Sequence, residues 1–153
     1  MASSYTVERA MTMGARPEAI HPLIDELKAW QRWSPWEGLD PALERTYSGP
    51  DAGPGAAYAW KGNRDVGQGS MTIRESDAPG RVVIDLAFLK PFKSQSVATF
   101  RIEPEGEGSV VRWTMEAKHT FLSRVFSLFA SFDKMIGKDF EKGLGQLKAL
   151  VEG

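Results

Sequence analysis

The sequence predicts an α+β fold in which a curved antiparallel sheet wraps around a long C-terminal helix. Two patterns carry the prediction. Between residues 43 and 119, short segments alternate apolar with polar residues and are separated by brief polar turns, the signature of antiparallel hairpins. From residue 120 onward the period changes, and apolar residues recur every three or four positions. The length of 153 residues fits one domain spanning 1–153.

The elements follow in order. Residues 4–13 read as a first strand, with Val7, Met11 and Met13 alternating with Glu8, Ala10 and Thr12, and Gly14 ends it. A helix follows from Pro17, its stripe made by Ala19/Ile20, Leu23/Ile24 and Leu27. Pro22 lacks an amide donor and crowds the Glu18 carbonyl, so this helix is short, kinked, or restarts near Pro22. Residues 30–36 form at most a second short helix, stopped before Pro35.

Strands are then expected at 43–49, 57–62, 66–76, 81–89, 95–103 and 109–119. Gly67 and Gly69 point to a bulge or bend at the start of the third of these. The last segment is a long amphipathic helix, starting near Phe121 and reaching about residue 150, with Phe129, Phe132, Ile136, Phe140, Leu144 and Leu147 on one face. Lys134, Lys138 and Lys142 form a solvated row on another. Gly137, Gly143 and Gly145 each cost about 1 kcal/mol against alanine, which hints at close packing or bending. A single helix covers the apolar side of such a sheet only if the sheet curls, and a curled sheet encloses space that side chains need not fill. The element order therefore points to an internal cavity.

Composition narrows the function. The chain has no cysteine, which excludes disulfides, thiolate nucleophiles and Cys-ligated metals. Nineteen basic residues against 20 acidic ones leave a net charge of −1, with no basic footprint for nucleic acid or anionic membrane. The first residues lack a signal peptide's apolar stretch and no run is long enough to span a membrane, so a soluble, cytoplasmic protein is expected. There is no GxSxG, HExxH, P-loop or complete GxGxxG. The two histidines, His21 and His119, are too few for a His-rich metal site. No metal or other cofactor is expected. His21 reads as a surface or interface residue, whereas His119 continues the apolar face of the last strand. Asp85 and Glu116 fall on outward faces.

Several local features carry a family resemblance over nearly all of 4–152. They are the strand followed by RPEAIHPLI, the Trp30-x-x-Trp33-Ser34-Pro35-Trp36 segment, and Tyr58-x-Trp60-x-Gly62-Asn63 followed by Val66-Gly67-x-Gly69. The ending from Phe121 through Asp133-Lys134-Met135-x-Gly137 to Gly143-Leu144 is the most distinctive. The chain resembles the START-like, or SRPBCC, superfamily. Within it, the chain is similar to the small bacterial polyketide cyclase/dehydrase and lipid-transport-like proteins. The resemblance implies a helix-grip fold: seven antiparallel strands gripping the C-terminal helix, with an apolar cavity between them.

Five tryptophans and eight phenylalanines make the aromatic set the most informative constellation. The strand and helix faces place Trp60, Met71, Ile73, Leu86, Phe88 and Phe100 around a cavity, joined by Trp113, Met115, Phe132, Ile136 and Phe140. Trp33, Tyr58 and His119 complete the candidate ligand-binding set. These side chains either fill the core or wall a pocket for a flat or oily ligand.

Three functions compete. One is binding, transport or sequestration of a small hydrophobic molecule such as a lipid, isoprenoid, polyketide or aromatic metabolite. Another is a cyclase/dehydratase-type enzyme, with Tyr58, His119 and Arg45 as the groups able to move or hold a proton. The third is an interaction module of the chaperone-ATPase-activator type. No catalytic motif decides between them.

Overall fold

A computed structural model describes residues 4–37, 40–63, 67–90, 94–118 and 126–153. Strand β1 (Ser4–Met13) leads into helix α1 (Pro17–Asp25) and a 3-10 helix (Leu27–Arg32). Six strands follow: β2 (Glu44–Ser48), β3 (Ala57–Lys61), β4 (Gln68–Asp77), β5 (Arg81–Lys90), β6 (Ser94–Glu105) and β7 (Gly108–Lys118). Helix α2 (Phe126–Glu152) closes the chain. The strands form one antiparallel sheet in the order β1-β7-β6-β5-β4-β3-β2, so every neighbour except β1–β7 is a hairpin partner. This is the helix-grip arrangement that the element order anticipates.

Local chemistry explains the departures. Pro22 sits inside α1, where its missing amide costs one bond to the Glu18 carbonyl, and the helix is short at nine residues. Of the alternatives the sequence left open, the short helix is the one observed, and the chain continues after Glu26 as the 3-10 helix. His21 is not a surface residue. It is 6% exposed, and its Nε2 lies 3.1 Å from the Ser76 hydroxyl, which in turn donates to Asp25 at 2.6 Å. This chain of contacts pins α1 to β4. The bulge expected beside the early glycines is present, with a register shift between Gln68 and Gly69.

Pairing register sorts the inner face of the sheet into rows. One row runs Arg9, Trp113, Phe100, Val82, Ser76, and the next runs Val7, Met115, Ala98, Ile84, Ile73. Helix α2 packs over the β1 end of these rows. The Phe140 ring stacks on Trp113, and Gln146 Nε2 donates to the Trp33 carbonyl at 2.6 Å. One of the helix glycines, Gly143, is required by contact, whereas at Gly137 only the flexible end of the Arg9 side chain is in the way. A Cβ at Gly143 would lie 2.8 Å from Pro35 and 3.0 Å from Trp113, and one at Gly137 would meet the Arg9 guanidinium. Gly145 has open space beside it.

Candidate functional site

The inner face has a closed half and an open half. In the closed half, Trp30 and Trp33 pack edge-on against both Phe100 and Trp113. Their indole N–H groups donate to the Ile24 and Leu23 carbonyls at 2.8 Å each. Phe100, Trp113 and Phe140 are 0%, 2% and 1% exposed, and Ile73 and Met115 are buried with them. Of the candidate ligand-binding residues, Trp33, Ile73, Phe100, Trp113, Met115 and Phe140 therefore lie in the packed core.

The open half is built by the next two rows. One runs Ser96, Leu86, Met71, Tyr58, Tyr47 across β6 to β2, and the other runs Phe88, Gly69, Trp60, Arg45. Tyr47, Tyr58, Trp60, Leu86 and Phe88 stay half-buried, above a floor that includes buried Met71. Their rings form a ladder: Tyr47 stacks on Tyr58 at 4.9 Å, Tyr58 on Trp60 at 5.8 Å, and Trp60 meets Phe88 edge-on at 5.7 Å. Gly69 is the platform under Trp60, because a Cβ there would stand 2.8 Å from the indole and 2.6 Å from the Ala87 carbonyl oxygen. The structure thus brings Tyr58, Trp60, Met71, Leu86 and Phe88 together. Ile136 lies half-buried on α2 against the core. His119 lies outside the described residues, as does the side chain of Phe132.

Polar groups cluster at the β2 end of this wall. Arg45 faces inward with Tyr47 and forms an ion pair with Glu37, both side chains about one-quarter exposed (27% and 24%). Burial works against the Arg45 charge, but Glu37 outweighs it and the arginine pKa is raised. The same guanidinium lies beside the Tyr58 hydroxyl. Burial, reinforced by Tyr47, pushes the Tyr58 phenol up to about 12. Gln31 donates to the Tyr47 hydroxyl at 2.8 Å. Arg45 Nε and Ser96 Oγ are buried with no hydrogen-bond partner, and Ser96 is 8% exposed as a residue. At the usual strand spacing, Ser96 stands roughly 14 Å along the sheet from Tyr58, with Leu86 and Met71 between.

Glu37, Tyr47 and Ser96 were not singled out by the sequence. Tyr47 had a signal, since it shares its strand parity with Arg45. Glu37 lies in a loop and had none. Behind Tyr47, a depression of about 90 Å³ opens between Leu27, Lys28, Pro50 and Ala56. It is several-fold smaller than the roughly 300–1,000 Å³ of small-molecule sites. Among the described residues no cluster of His, Asp and Glu could hold a metal, and no helix is long and apolar enough to cross a membrane.

Residues 4–152 match the family described as "Polyketide cyclase / dehydrase and lipid transport". The chain belongs to this family. Solved structures share its fold. Protein CV1439 from Chromobacterium violaceum has a TM-score of 0.69 at 16% identity, with 97% of each chain covered. A protein of unknown function, SA2116 from Staphylococcus aureus, reaches 0.74 at 10% identity, covering 99% of this chain and 95% of that one. CalU16 from Micromonospora echinospora gives 0.61 at 18% identity, covering 99% and 76%. No curated protein matches the chain. The START-like, helix-grip membership read from the sequence agrees with both the family match and the fold.

Proposed function

We propose that this family member binds a small hydrophobic molecule against the open half of its inner face and carries or sequesters it. The observation behind this reading is the ladder Tyr47–Tyr58–Trp60–Phe88, left half-exposed on the concave side of a sheet whose other rows are packed shut. Exposed aromatic surface on a concave face favours an apolar occupant, because burying it releases about 25 cal/mol per Å². The lipid-transport part of the family's description fits the same reading. Lipids, isoprenoids, polyketides and aromatic metabolites all have the required apolar body.

The test uses Trp60 as reporter. Titration with 1-aminoanthracene should enhance dye emission and quench tryptophan fluorescence, and Trp60→Phe should remove most of the quenching. Absence of any dye response across the micromolar range sinks the reading.

A second reading is a cyclase/dehydratase-type reaction on the same wall. It is favoured by Arg45 beside the Tyr58 hydroxyl, a proton-holding group next to a fixed positive charge. Product analysis after incubation with a reactive polyketone distinguishes it from carriage.

A further inference from the structure

The polar end of the aromatic wall has one chemical character. Arg45 directs Nη2 to Glu37, which occupies a carboxylate oxygen. Its Nε–H is buried and has no partner among the described residues. Tyr58, diagonal to Arg45 on the same face, is close enough for the guanidinium to act on its oxygen. Nothing in the described residues accepts the Tyr58 proton. A phenol held up to about 12 keeps that proton at neutral pH. The cluster therefore offers one donor a ligand can reach, Tyr58 O–H, polarised by the Arg45 guanidinium beside it, while Glu37 is engaged by Arg45.

Charge selects among acceptors. Glu37 and Arg45 already sum to zero. A carboxylate brought to this end would add a second anion around one guanidinium, with the Lys28 ammonium, 5.5 Å from the Tyr47 ring, as the next cation. A neutral carbonyl oxygen accepts from the Tyr58 hydroxyl without that penalty. We propose that Arg45 and Tyr58 are specificity-determining residues that select apolar ligands bearing a neutral carbonyl over both carboxylates and plain hydrocarbons. This inference rests on the binding reading above and names the ligand class of the same site.

Three nearly isosteric probes test it: 2-acetylnaphthalene, 2-isopropylnaphthalene and 2-naphthoate, each titrated by isothermal calorimetry near pH 7. The ketone should bind about 2- to 13-fold tighter than the isopropyl compound, the ratio of roughly one net hydrogen bond, and tighter than the carboxylate. Tyr58→Phe should bring the ketone-to-isopropyl ratio toward one. The double variant Glu37→Gln/Arg45→Met, which leaves no lone charge behind, should do the same. Equal binding of ketone and hydrocarbon by the unmodified protein, or tighter binding of naphthoate, overturns carbonyl selection while leaving the apolar site standing. If none of the three binds, the site reading fails and the selection falls with it.

Discussion

The Phe140 ring lies flat on the Trp113 indole, with centroids 4.0 Å apart and planes 8° from parallel. Through this stack helix α2 is held on the sheet. Around it stand Trp30, Trp33 and Trp36, each edge-on to Trp113. Phe140→Ala should cost roughly 3–5 kcal/mol, because the cavity it leaves is walled by rigid rings that collapse poorly. Urea unfolding followed by tryptophan emission measures it. A loss below 1 kcal/mol would show that the helix is held elsewhere.

The helix glycines separate packing from propensity. Gly143→Ala drives a methyl into Pro35 and Trp113 and should destabilise by about 1–3 kcal/mol. Gly145→Ala meets open space and should stabilise by up to about 1 kcal/mol through helix propensity alone. Thermal melts of the two variants should move in opposite directions.

Tyr58 should ionise later than Tyr47. Its folded-state value of about 12 lies above the ordinary 10.0, so the native state favours the neutral phenol. The stability this contributes is complete below pH 10 and is lost as pH rises from 10 toward 12. Phenolate absorbance at 295 nm should show a late component with a midpoint near pH 12, missing in Tyr58→Phe. A midpoint near 10 would mean that the hydroxyl is freely hydrated.

Acid pH probes the far end of α2. Glu152 accepts from Lys148 and from the Gly14 amide, each at 2.7 Å, and these bonds hold its pKa below the usual carboxylate value. Its contribution is present above the ordinary value of 4.5 and fades as pH falls through the lower folded one. Glu152→Gln should melt below the parent protein at pH 7 and together with it once pH is low enough to protonate the carboxylate. A gap that persists unchanged into acid would assign the effect to packing.

Much of the fold is legible because period is a local property. The alternation of Val82, Ile84, Leu86 and Phe88 places β5, and the spacing of Phe140, Leu144 and Leu147 places the helix face. The division of one apolar face into packed and open halves is not local. Phe100 and Phe88 both occupy inward positions on neighbouring strands, yet Phe100 lies under the tryptophan cluster and Phe88 beyond its reach. Only the register, together with the path of residues 27–36, decides which is covered. His21 misled for the same reason: its partner Ser76 is 55 residues away. Glu37 is likewise meaningful only once the loop brings it to Arg45.

Strand β2 has a single hydrogen-bonded neighbour and only five residues, and it carries both Arg45 and Tyr47. An edge ladder this short opens at little cost, so its amides should exchange with solvent well before those of β6 and β7. Arg45, one of the two proposed selectivity residues, thus sits on the part of the sheet contributing least to global stability. Under the proposed binding role, substitutions there would retune selectivity without threatening the tryptophan-packed side, which would leave one scaffold free to diversify its ligand.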